Sequence, residues 1–164
     1  MSMPVLTPRL LLEPYTVAHA ERMLAGDPAG SDRWADGYPF ADELDVARLY
    51  LRIVAEHGDP APFGPFVVRL RGTSEAIGGV GFFGPPDAAD GAVEFGYGLV
   101  ASARGLGLAT EAVVAALELA AEHGARVARA DTTPANVASQ RVMEKAGMTE
   151  VERSAASVAY EVRF

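Results

Sequence analysis

The chain has no cysteine, so disulfides, thiol nucleophiles and thiolate metal sites are excluded. Lysine is almost missing too. Lys145 stands alone, and a phosphate loop ending in Gly-Lys-Ser/Thr therefore cannot be built. No apolar run approaches the ~20 residues that span a bilayer, and the N-terminal stretch lacks a charged-then-apolar leader pattern, so a soluble, cytoplasmic protein with no membrane partner is expected. Positive charge is also short: the net charge is −8, which argues against nucleic-acid phosphate as a partner and favours approach by a cation. His19, His57 and His123 are scattered without ligand spacing, so no metal is expected. What the chain has is apolar mass: 49% of 164 residues, enough for one core and a single domain over 1–164.

Periodicity divides the chain into short strands and a few helices. Arg9–Glu13, Pro65–Arg71, Ala76–Phe83, Ala92–Val100 and Val127–Asp131 read as strands, and two more short ones follow near the end. Thr16 caps a helix running to about Ala25. Asp42–Glu56 places Leu44, Ala47, Leu51 and Val54 at helical spacing, and Leu106–Glu122 does the same with Ala109, Val113, Leu117 and Ala120. Pro134–Ala146, capped by Thr133, reads as the last helix. Gly26–Phe40 is loop by composition. Strands outnumber helices and cluster mid-chain, so the class is α+β with a mixed, largely antiparallel sheet.

The most informative stretch is Glu94-Phe-Gly-Tyr-Gly-Leu-Val-Ala-Ser-Ala-Arg-Gly-Leu-Gly-Leu-Ala-Thr-Glu111. It reads as strand, glycine turn and helix. Gly105 and Gly107 leave backbone N–H groups uncovered, and the following helix directs its positive end the same way. Such a turn is an anion cradle suited to a pyrophosphate. The dinucleotide fingerprint G-x-G-x-x-G/A fails at Thr110. The pattern Arg104-x-x-Gly107-x-Ala109 matches Arg/Gln-x-x-Gly-x-Gly/Ala at every fixed position.

A second segment carries Asn136-x-x-Ser139 and ends in Ala-Gly147-Met148. Ser139, Val142, Met143 and Ala146 share one helical face, with Asn136 a turn earlier. On structural grounds alone, Asn136 caps the helix and Ser139 bonds back to a carbonyl. Together, the two segments resemble the coenzyme-binding motifs of the GNAT acetyltransferase superfamily. Leu6-Thr-Pro-Arg-Leu-Leu-Leu-Glu-Pro, Ile77-Gly-Gly-Val-Gly-Phe and Val158-Ala-Tyr-Glu-Val resemble the branch containing ribosomal-protein N-terminal alanine acetyltransferases.

The resemblance implies a sheet of about six to seven strands flanked by about four helices, acetyl-CoA as cosubstrate and a primary amine as acceptor. It also makes a homodimer the expected assembly. Arg104, Gly105, Leu106, Gly107, Leu108, Ala109 and Thr110 would hold the pyrophosphate, Asn136 the pantetheine amides, and Leu99 and Val100 the thioester carbonyl. Glu94 would be the base, directly or through water, and Ser139 would face the thioester sulfur as the acid. The tyrosine many family members carry seven residues after the Asn is Met143 here, which cannot donate a proton. A departing thiol of pKa ~8.5 needs little help. Met143 also leaves open a catalytically weak acyl-CoA-binding module.

For the acceptor site, the loop offers Trp34, Asp36 and Tyr38, aromatic walls and a carboxylate suited to a cation, with Phe40 beside them. Packing over the core is the structural alternative, foremost for Trp34 and Phe40. The acceptor could be a protein N-terminus or a small amine; the short Glu152–Ser157 segment leaves the site open and favours a peptide.

Overall fold

A computed structural model describes residues 3–164. Its strands are β1 (Val5–Leu6), β2 (Leu10–Pro14), β3 (Pro65–Leu70), β4 (Ala76–Phe82), β5 (Ala92–Leu99), β6 (Val127–Thr132), β7 (Thr149–Arg153) and β8 (Val158–Arg163). The helices are α1 (Val17–Ala25), α2 (Ala41–His57), α3 (Leu108–Glu122) and α4 (Val137–Lys145). The eight strands form one sheet in the order β1-β2-β3-β4-β5-β6-β8-β7. Every pairing is antiparallel except β5 with β6. The expected α+β class holds, with one strand more than the upper expectation because β1 is a two-residue edge piece against β2.

All seven residues of β4 are buried, as an apolar strand covered on both faces must be. The two faces can be told apart by register. Gly79 pairs with Gly98 and Gly81 with Gly96, while Val80 pairs with Tyr97 and Phe82 with Phe95. Side chains alternate along each strand, so the four glycines form one patch and the large residues occupy the opposite face. Glu43 of α2 sits over Gly79, whereas Tyr97 bonds Ser139 of α4. Helices α2 and α4 therefore cover opposite faces. Helix α3 shares the α4 side, since Phe82 meets Phe63 and Phe63 meets His123 just past the end of α3.

Two helix starts lie further along the chain than the sequence reading placed them. Helix α3 starts at Leu108 rather than Leu106, because Gly105 (φ 76°) and Gly107 (φ 78°) are both left-handed. Helix α4 starts at Val137, not Pro134: the Asn136 side chain accepts the Ser139 N–H at 3.1 Å and sets the cap there. The Thr133-Pro134 turn is held instead by the Gln140 amide, which donates to both carbonyls. After β5, residues 101–103 make one 3-10 turn. The loop over 26–40 is anchored by Asp32, which accepts two bonds from Arg22 at 2.7 Å, while Arg69 donates to its carbonyl. Arg22 holds the Asp32 carboxyl below its usual range.

Candidate active site

Strands β5 and β6 pair through only three residue couples: Ala92 with Val127, Val93 with Ala128 and Glu94 with Arg129. Beyond Glu94 they part, although β5 runs to Leu99 and β6 to Thr132. A wedge opens between them. The carbonyl of Glu94 accepts from Phe83 and the amide of Val100 donates to Ile77, so even-numbered residues of β5 bond toward β4. By alternation the amides of Phe95, Tyr97 and Leu99 turn into the wedge. This corrects the expectation for Val100: its N–H is committed to the Ile77 carbonyl at 2.8 Å. Leu99 keeps a wedge-facing amide, and its carbonyl accepts from Arg104 Nε at 3.1 Å.

The wedge leads to the cradle. The first helical bond of α3 runs from the Glu111 N–H to the Gly107 carbonyl at 3.1 Å. The amides of Gly107, Leu108, Ala109 and Thr110 thus precede the ladder, and no side chain caps them. Arg104, Gly105, Leu106 and Gly107 are exposed, Leu106 by 59%. Arg9 fastens the loop: Nη1 donates to the Leu106 carbonyl at 2.8 Å and Nε to Glu111 at 2.9 Å. Burial alone would raise the Glu111 carboxyl, but bonds from Thr7 and Arg9 overturn that and hold it below its usual value. The cradle therefore has free donors and a half-exposed guanidinium beside it, which fits a pyrophosphate. The anchoring role of Arg9 was invisible in sequence, because its partners lie about a hundred positions away.

Ser139 lies on the wedge side of α4. Its Oγ is 2.6 Å from the Tyr97 hydroxyl, which also donates to the Ser139 carbonyl at 3.0 Å. Burial raises the Tyr97 phenol, and the Ser139 bond only partly offsets this, so Tyr97 stays protonated at neutral pH. Sequence reasoning passed over Tyr97; its signal was a lone tyrosine between glycines in the strand preceding the cradle. Asn136 uses its Oδ1 as the α4 cap and leaves its NH2 free to donate. Met143 is fully buried core.

On the opposite face a cavity of about 260 Å³ lies between α2 and the glycine patch. Phe40, Glu43, Val46, Tyr50 and Phe83 are among its walls, with Asp131 at the end of β6. Its residues include none of Trp34, Asp36 and Tyr38. Trp34 and Tyr38 belong instead to a packed aromatic run from His19 to Phe40, and Asp36 is exposed. Phe40 does reach the cavity, its ring lying over Gly98. Glu94 points to the same face but lies in a neighbouring depression with Asp90 and Arg129; Phe83 borders both hollows. The Glu94 carboxylate is exposed and makes no ion pair among the described residues. No group of side chains suited to a metal ion occurs among the described residues.

The strand, glycine turn and helix expected around Arg104–Ala109 are present, and the turn is an uncapped cradle. Over residues 9–149 the chain matches the family profile described as Acetyltransferase (GNAT) domain. The chain belongs to the GNAT acetyltransferases. No curated protein matches it in sequence. Among solved structures, an acetyltransferase from Agrobacterium tumefaciens superposes with a TM-score of 0.70 at 24% identity, over 100% of this chain and 96% of that one. The ribosomal-protein-S5-alanine acetyltransferase from Vibrio fischeri gives 0.68 at 15%, covering 99% and 97%. RimJ of Mycobacterium smegmatis, in complex with CoA-disulfide, gives 0.66 at 19%, covering 94% and 81%. These likenesses concern the GNAT fold. The family's reaction is acyl transfer dependent on acetyl-CoA, and no described helix is long and apolar enough to cross a membrane.

Proposed function

We propose that this GNAT protein transfers the acetyl group of acetyl-CoA to a primary amine by direct attack. The observation that carries this is the continuity of the wedge with the uncapped cradle. Amides of residues 105–110 would hold the pyrophosphate, with Arg104 bracing the loop through its bond to Leu99. The Leu99 amide is the donor placed for the thioester carbonyl, and Asn136 can donate through its NH2 to the pantetheine. In the reaction the amine nitrogen forms the new C–N bond and the C–S bond breaks. Ser139, with Tyr97 behind it, is the hydroxyl donor for the departing thiolate.

Glu94 serves as a base at the rim, acting through water, since it is exposed and unpaired. Glu94→Gln is expected to lower turnover while leaving acetyl-CoA affinity unchanged; an unaltered rate across neutral pH removes it from the mechanism. A protein N-terminus is the favoured acceptor, in keeping with the S5-alanine acetyltransferase among the structural neighbours. Its approach is open, because only a short turn, including Ser154 and Ala156, joins β7 to β8. Calorimetric titration tests the core of the reading. Acetyl-CoA and desulfo-CoA should bind while NAD and ATP do not; no binding by the coenzymes overturns it.

A further inference from the structure

The cavity between α2 and the glycine patch is acidic. Three carboxylates line it, Asp42, Glu43 and Asp131, and none of its lining residues is basic. Glu43 is the unusual one, being only 5% exposed. Its Oε2 accepts the Tyr15 hydroxyl at 2.6 Å, and its Oε1 makes no hydrogen bond within the described residues. Both oxygens occupy the space that a β-carbon of residue 79 would need. The carboxylate has its seat because β4 carries glycine there. Gly79 pairs with Gly98, a strand spacing of about 5 Å away, and Gly98 precedes Leu99, whose amide faces the wedge. A buried carboxyl with one free oxygen and no cation beside it is costly unless something supplies the missing charge.

We propose that Glu43 docks the ammonium end of the acceptor and takes the first proton its nitrogen loses, the second, released as the C–N bond forms, passing through water to Glu94. An N–H bond breaks, an O–H bond forms on Glu43, and a neutral amine is left next to the wedge. Val46, Leu49 and Ile53, at helical spacing over the cavity, receive the apolar part of the acceptor next to its amine. The assignment rests on the acyl-transfer reading and extends it: Glu43 selects amines over alcohols, and Glu94 acts at the rim. Tyr15, Tyr38 and Asp42 act on Glu43 directly, Tyr50, Tyr97 and Asp131 share the cavity's lining, and the β4 residue beneath the carboxylate is Gly79. Burial holds the Glu43 carboxyl up at about 7, with Tyr15 pulling down and Asp42 adding to the rise. Glu43 is therefore charged above neutrality and uncharged below it.

The test uses n-butylammonium and its neutral isostere n-butanol, followed by NMR without coenzyme, so failure here is distinct from failure of coenzyme binding. At pH 8.5 butylammonium should bind saturably, and at least tenfold more weakly at pH 5.5. Glu43→Gln should lose that tenfold at pH 8.5, while Glu94→Gln should bind as the unaltered protein does. Butanol bound equally well, indistinguishable binding by Glu43→Gln, or no saturable binding would each overturn the proposal. Should Glu43→Gln fail to fold, the carbon-13 titration of Glu43 in the unaltered protein decides. Butylammonium must move its midpoint downward, and an unmoved midpoint refutes the assignment.

Discussion

Glu43 is expensive to keep. A carboxyl whose folded-state pKa is about 7, against an ordinary value near 4.3, favours folding fully only below the lower value. That contribution is lost as pH rises through 7. Relative to a neutral isostere, ionised Glu43 costs on the order of 3 kcal/mol at pH 8. We therefore expect Glu43→Gln to raise the melting temperature at pH 8 and to leave it nearly unchanged at pH 4, read by calorimetry. A residue kept at such a cost suggests use rather than structure. On the other face, Ser139→Ala and Tyr97→Phe should each slow turnover by less than roughly a hundredfold, since the thiolate is a ready leaving group. Unchanged rates in both variants would place the hydroxyl pair in packing alone. Neither Glu43 nor Tyr97 stood out in the sequence. Glu43 lies on a helix otherwise read for its apolar spacing, and its meaning comes from a glycine on a distant strand.

The glycine cradle was the most legible element, because its chemistry depends on consecutive backbone conformations and little else. Gly107 adopts φ 78°, and an added β-carbon would meet only Arg9 Nη2 at 3.4 Å. Gly107→Glu should therefore fold, with modest backbone strain, while its carboxylate takes the place of the pyrophosphate. Acetyl-CoA binding is expected to vanish in calorimetry with the far-ultraviolet spectrum intact; retained affinity would sink the cradle assignment. Helix α4 was less legible. Thr133-Pro134 is a sound start signal, yet the Asn136 side chain captured the Ser139 amide and moved the cap forward. The loop over 26–40 offered two readings, a binding wall or packing over the core. Trp34 follows the second, bridged to Ala76 and packed between His19 and Tyr38, and the cavity lies one helix further on.

Across the whole molecule, the sheet is two plates. Strands β1 to β5 make one and β6, β8 and β7 the other, and three couples of parallel pairing join them. Parallel pairing is slightly the weaker kind per residue, so this seam is where the sheet should open first. The protein then resembles a book with a narrow spine. A ligand with amide groups laid along Phe95–Leu99 would act as a temporary extra strand, stitching the plates beyond their own three couples. Hydrogen exchange at Tyr97 and Leu99 should slow markedly on adding desulfo-CoA, with smaller protection spreading into β6; unchanged exchange there would refute the stitch. Turnover would then carry a mechanical rhythm, the two covers held together while the coenzyme is bound and loosened each time it departs.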